Sequence, residues 1–185
     1  SLHLRWAALL HDIGKQETLK REHAKISSQW ARRILKRLRA SVSLVEQVSN
    51  LIAHHMFSIH PHSSAKEMRR FLGKLGVETA FDLVKLRQAA MAGMNVSPRK
   101  ILAYGQAMEA RFKEIIEAEH ALSLKDLAVD GHFLMQTLAI EPGPLVGEIL
   151  QYLLGQVWTD PTLNQPELLG ELAKNYLESL PKNIE

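Results

Sequence analysis

Apolar side chains return every three or four positions along nearly the whole chain. No stretch alternates apolar and polar with the period of two that a half-buried strand requires. The first stripe runs through Leu2, Trp6, Leu9, Leu10 and Ile13 and predicts a core-facing helix that Gly14 stops. Ile26, Trp30, Ile34 and Leu38 mark a second helix, and Leu44, Val48, Leu51, Ile52 and His55 a third. The three are expected to pack as a bundle with Leu9, Trp30, Ile34, Val48 and Ile52 turned inward. A linker over 58–64, containing Pro61, breaks the pattern. Met68, Phe71, Leu72 and Leu75 then give a short helix ended by Gly76, and 77–91 gives another with Leu83, Leu86 and Ala90 on one face.

Ser97-Pro98 pairs a capping side chain with a proline at the first helical position, opening a long helix that is expected to reach about His120. Ser123-Leu124-Lys125-Asp126 has the form of a capping box for a short helical turn. Pro142-Gly143-Pro144 opens a helix whose apolar positions are Val146, Ile149, Leu150, Leu153 and Leu154, and Pro166 starts the last one, through Leu180. The fold class is all-α. Three parts are expected: a compact three-helix unit over 1–60, additional helices packing on it over 61–120, and a helical tail over 121–185.

Composition narrows the classes. No apolar run approaches the roughly 20 residues of a membrane span, and no secretory signal is visible. The absence of cysteine excludes disulfides and thiolate metal sites and fits a cytoplasmic protein. The first stripe begins at Leu2 with no cap or lead-in, which reads as the interior of a longer chain. The net charge of +3 hides a polarity: residues 1–113 hold 20 Lys and Arg against 8 Asp and Glu, and residues 114–185 hold 3 against 12. The first part attracts polyanions; the second, an acidic tail, does not.

Candidate chemistry centres on His11-Asp12. Adjacent helical positions are about 100° apart, so an imidazole nitrogen and a carboxylate oxygen can converge on one cation, a donor pair that suits Zn, Mn or Fe better than Ca. His23 begins the second helix, and His55 lies on the apolar stripe of the third while His54 points away. His11, Asp12, His23 and His55 would make a metal site of three imidazoles and one carboxylate. Each histidine taken alone is better explained as a core residue bonded to backbone than as a ligand. His60, His62, His120 and His132 fall in linkers or helix starts and are given no role. Phosphate contacts are expected from Arg32, Arg33, Lys36, Arg37 and Arg39, within about half of one helix circumference, and from Arg69, Arg70, Lys74, Arg99 and Lys100. The helix start at Gly143 leaves backbone N–H groups free for an anion, and Gly147 permits close approach. Trp6, Trp30 and Phe71 read as core, leaving Tyr104 and Trp158 to stack on bases.

The segments LRWAALLHDIGK, EHAKISSQWARRILKRLR and LIAHHM resemble the HD-type helical region of bacterial class II tRNA nucleotidyltransferases and poly(A) polymerases. MRRFLGKLGVETAFDLVKLRQAA looks like the segment that follows it there, and ALSLKDLAVDGHFLM with EPGPLVGEILQYLL looks like that family's C-terminal stretch. The resemblance implies an HD-type bundle followed by a tail. It also implies tRNA or another structured RNA as partner, and a parent enzyme whose N-terminal nucleotidyltransferase head uses Mg²⁺ and nucleoside triphosphates. It further implies two more metal ligands, an earlier histidine that would precede Ser1 and a later aspartate in the slot where this chain has Ala90. The metal site is therefore expected to be degenerate, holding at most a residual divalent ion. No Asp-x-Asp or Gly-Ser pair of a nucleotide-adding centre occurs, so no catalytic residue and no cofactor is expected in the chain. The alternatives are a metal-dependent HD phosphohydrolase acting on nucleotides or cyclic phosphodiesters, and a non-catalytic scaffold or homodimerisation module.

Overall fold

The computed structural model describes residues 1–16, 22–118 and 122–180. Among these, all regular structure is helical: α1 (Leu2–Leu10), α2 (His23–Arg37), α3 (Val42–His54), α4 (Ala65–Leu75), α5 (Val77–Gly93), α6 (Pro98–Glu117), α7 (Gly131–Leu138), α8 (Pro144–Thr159) and α9 (Pro166–Ser179), with short 3₁₀ turns at Ile13–Gln16, Leu124–Asp126 and Pro161–Leu163. The predicted helix starts at Pro98, Pro144 and Pro166 are present, and two caps that the sequence reading did not single out join them. The Ser41 hydroxyl accepts from the Leu44 amide at the head of α3, Asp130 accepts from the Phe133 amide at the head of α7, and prolines stand at the first turns of α8 and α9. Gly76, at φ +81°, separates α4 from α5 in a conformation that L side chains rarely adopt. The long helix α6 ends at Glu117, short of the expected His120, which lies outside the described residues.

The chain divides into two compact units that do not follow chain order. The first comprises Ser1–His62 and Leu75–Arg111; the second comprises Ser63–Lys74 and Phe112–Glu185. In the first, α2 and α3 pack along their length, and α1 lies on α3 and α5. The seam runs through Ala24, Ser27, Ala31 and Leu35 of α2 and Val45, Val48, Leu51 and Ile52 of α3. Trp30 and Ile34 sit beside it, half-buried. In the second, α7, α8 and α9 close around Leu134, Ile149, Leu153, Val157, Leu169 and Ala173.

Two expectations are corrected here. Leu9 is 72% exposed, and Leu2 is exposed as well. Helix α1 is apolar on more than one side, so a stripe drawn through its large residues was not unique. The face that packs is His3, Ala7 and Leu10, because the small Ala7 lets α1 approach its neighbours closely. Arg39 does not continue the basic face of α2. The helix stops at Arg37, and Arg39 takes φ +57° in the turn that follows. There the Arg39 amide donates to the Lys36 carbonyl and the Ala40 amide to the Leu35 carbonyl, the pairing of a left-handed helix stop usually made with glycine.

Candidate metal centre and its surroundings

Three helix ends meet in the first unit. The His11 ring stands at the C-terminus of α1, where its Nδ1–H donates to the Ala8 carbonyl at 2.9 Å. His55 caps the C-terminus of α3, and its Nδ1–H donates to the Ile52 carbonyl at 2.7 Å. His23 is the first residue of α2 and is buried. With Nδ1 donating, His11 and His55 each keep an Nε2 lone pair for the centre. Gly14 makes the meeting of these ends sterically feasible. Its amide donates to the buried Ser27 hydroxyl at 2.9 Å, and an added Cβ would stand 2.8 Å from the Ser27 nitrogen and 3.0 Å from the His23 carbonyl oxygen.

The donors lie at ligand distances from one another. Asp12 Oδ1 is 3.3 Å from His23 Nε2 and 3.7 Å from His55 Nε2, and the two Nε2 atoms are 3.2 Å apart. His11 Nε2 is 3.2 Å from the other carboxylate oxygen, Oδ2. A tetrahedral ion with bonds of about 2.0–2.1 Å requires donor separations of about 3.3–3.4 Å. Asp12, His23 and His55 therefore fit a first-row divalent ion, with His11 at the edge of the set. Charge works against it. Lys15 Nζ sits 2.6 Å from Asp12 Oδ2, so the single carboxylate is already neutralised.

Two groups of the cluster, Asp12 and His55, have pKa values displaced by this packing. Burial pushes the Asp12 carboxyl up, but the hydrogen bond from Lys15 and the charges of His11, Lys15 and His55 outweigh it, and the net shift is downward. Burial pushes His55 down from its ordinary value of 6.5; the neighbouring His11 and His23 rings add to the effect, while the Ile52 carbonyl and Asp12 oppose it.

Ala90 is half-buried and lines a pocket of about 120 Å³ beside the cluster, together with His11, Asp12, Lys15, His55 and Arg87. An alanine on α5, it brings no donor to that pocket. Arg87 stacks over the Phe57 ring with 3.4 Å to its centroid, donates to the Phe57 carbonyl and reaches the Tyr104 hydroxyl. The pocket is thus walled by two cations and one carboxylate.

Other expected site residues separate into two groups. Arg32, Arg33, Lys36, Arg37, Arg39, Arg70, Lys74, Arg99 and Lys100 are exposed, as are Gly143 and Gly147. Arg69 is not available to RNA: it is buried, and its Nη1 donates to the Trp158 carbonyl at 2.9 Å. Trp158 is itself buried, so stacking on a base is overturned too. The helix-start Gly143 has φ 175°, extended backbone that any residue adopts. A further ion pair escaped the sequence reading: His3 Nε2 lies 2.6 Å from Asp82 Oδ2, and Lys85 lies 3.2 Å from Oδ1, tying α1 to a buried acid on α5. Its signal was an aspartate inside the apolar run Phe81-Asp82-Leu83-Val84.

Two outcomes follow. Gly14→Ala forces the turn away from α2 and should destabilise the chain by about 1–3 kcal/mol, read by denaturant unfolding. A stability equal to that of the parent would show the turn to be loosely seated. Because the unfolded chain binds the His55 proton more tightly than the folded one, metal-free stability should be full above the ordinary value of 6.5 and fall as the pH drops below it. Thermal melting between about pH 7.5 and 5.5 should register the fall, and His55→Gln should reduce it.

Residues 4–173 match the family described as tRNA nucleotidyltransferase domain 2. The chain is 32% identical over 174 residues to an A-adding tRNA nucleotidyltransferase of Deinococcus radiodurans, covering 84% of this chain and 39% of that protein. It is 29% identical over 163 residues to a CC-adding tRNA nucleotidyltransferase of Thermus thermophilus, covering 83% of this chain and 35% of that protein. It therefore spans under two fifths of the length of these relatives. No solved structure gives a significant match. The chain belongs to the tRNA nucleotidyltransferase family, matching its second domain over nearly its whole length.

Proposed function

We propose that this chain is the RNA-holding helical portion of a nucleotidyltransferase that adds nucleotides to RNA 3′ ends, carrying a degenerate HD-type metal site. The family match over 4–173 carries the reading. The exposed cations of α2 and the start of α6 supply its chemistry. Arg32, Arg33, Lys36, Arg37, Arg99 and Lys100 present donors to solvent, with no base-stacking aromatic among the expected candidates left fully exposed. That set favours phosphate and shape recognition of a folded RNA over reading of its sequence. Nucleoside triphosphate and Mg²⁺ would be held by a catalytic head outside this sequence, acting with it in the cytoplasm. No helix among the described residues is long and apolar enough to cross a membrane.

Degeneracy of the metal site rests on two features. Ala90 lines the pocket beside the cluster without a donor, and Lys15 already pairs with Asp12. A competing reading, a metal-dependent phosphohydrolase, is favoured by the spacing of Asp12, His23 and His55. Its mark would be metal-dependent hydrolysis of nucleoside or cyclic phosphates by the purified chain; the degenerate-site reading expects none.

Binding to tRNA should be weak, tolerant of sequence and steeply salt-dependent. Each phosphate contact contributes about 0.7–0.9 to the slope of log affinity against log salt. Changing Arg32, Arg33 and Lys36 together to Ala should flatten that slope by up to about 2–3, measured by filter binding across a salt series. Undetectable binding at low salt, or a slope unmoved by the triple change, would leave a scaffold or homodimer module as the better account.

A further inference from the structure

Helices α2 and α3 are joined by a short turn over residues 38–41. The metal centre stands at one end of this pair, where α2 begins at His23 and α3 closes on His55. The turn forms the other end, about 22 Å away along the 15 residues of α2. Three observations single it out. Leu38 is 59% exposed and Val42 75%, more than any other large apolar residue among those described. The cations beside them lack counter-charges. Residues 23–45 contain six Lys and Arg and no Asp or Glu, and Arg33, Lys36, Arg37 and Arg39 form no ion pair among the described residues.

The third observation is the backbone of Arg39. Its φ of +57° belongs to a helix stop that glycine makes without steric cost. The Arg39 side chain is exposed and makes no hydrogen bond or ion pair among the described residues, so the fold gains no polar contact in return. An arginine in this conformation points to a ligand outside the chain. Unpaired cations attract a polyanion, and the exposed aliphatic pair requires that the polyanion also offer apolar surface. An RNA duplex does not, because its bases are stacked inside and it displays sugar and phosphate. An unpaired loop does, because its splayed bases present flat apolar faces. An anionic bilayer offers both features, but two aliphatic side chains carry less apolar surface than the single acyl chain whose attachment is only marginal.

We infer that the turn between α2 and α3 holds an unpaired loop of a folded RNA. A splayed base rests on Leu38 and Val42, and the flanking phosphates meet Lys36, Arg37 and Arg39. The inference rests on the RNA-holding reading and names the part of the RNA that this end of the bundle takes. Every base has such an apolar face, so the contact is tolerant of sequence. The start of α3 at the same turn adds the positive end of a helix dipole.

The test compares filter binding of an RNA hairpin with an unpaired loop and of a blunt RNA duplex with the same number of phosphates. The expected result is tighter binding of the hairpin, by about fivefold or more. Leu38→Ser together with Val42→Ser should erase that preference while leaving the duplex affinity and the salt slope unchanged, because no charge is altered. Arg39→Gly should weaken binding of both RNAs and lower the slope by about 0.7–0.9. Its melting temperature should be no lower than that of the parent, since glycine adopts this φ freely. Equal affinity for hairpin and duplex, a hairpin preference that survives the double change, or RNA binding unmoved by Arg39→Gly would overturn the inference while RNA holding stands. Failure of both RNAs to bind at low salt would overturn the RNA-holding reading itself, and the inference with it. Vesicles containing phosphatidylserine that then bind the parent and not the double variant would make the turn a membrane contact instead.

Discussion

The Gly14 amide donates to the Ser27 hydroxyl across 2.9 Å, and no room remains for a side chain between the turn after α1 and the first turn of α2. This close approach fixes where Asp12 stands. With Asp12 placed, His23 is within reach because it is the first residue of the helix that receives Gly14. His55 arrives from the end of α3 because α3 packs along α2 through Ala31, Leu35, Val48 and Ile52. The cluster is thus a consequence of helix packing at the bundle's end, where termini leave backbone carbonyls free to orient imidazoles. His11 and His55 use theirs in the same way, each through Nδ1 to a carbonyl three residues earlier.

Helix-level organisation was legible because its signals are local. Proline at a first turn, Ser123 with Asp126, Gly76 at a positive φ and apolar residues at helical spacing each act within a few residues. His11, Asp12, His23 and His55 were legible for a related reason: each occupies a helix end or an inward stripe. The failures concern which of two apolar faces packs, and what long side chains find at a distance. Leu9 and Leu10 are equally apolar, and the buried side is the one that also carries Ala7 and the His3 that pairs with Asp82. Arg69 looked like its neighbour Arg70, yet it meets the carbonyl of Trp158, 89 positions away. The Lys15 ion pair was local and could have been read three residues from Asp12, but its meaning depends on a metal site that only the fold assembles.

Charge is organised differently in the two units. In the first, cations lie on the surface of α2 and the start of α6, while the half-buried Asp12 pairs with Lys15 and the buried Asp82 with His3 and Lys85. In the second, the cations gather in Ser63–Lys74, whereas residues 114–185 hold 12 Asp and Glu against 3 Lys. The excess of acids over residues 114–185 disfavours non-specific contact with polyanions there.

In the proposed reading, the centre keeps the donor spacing of a metal site while the Lys15 pair and the donor-less Ala90 weaken its hold on an ion. Calorimetric titration of Mn²⁺ into the chain and into its Ala90→Asp variant tests this most directly. A carboxylate projecting into the pocket beside His11, Asp12 and His55 should tighten binding on the order of tenfold or more. Equal affinity in the two forms would contradict it.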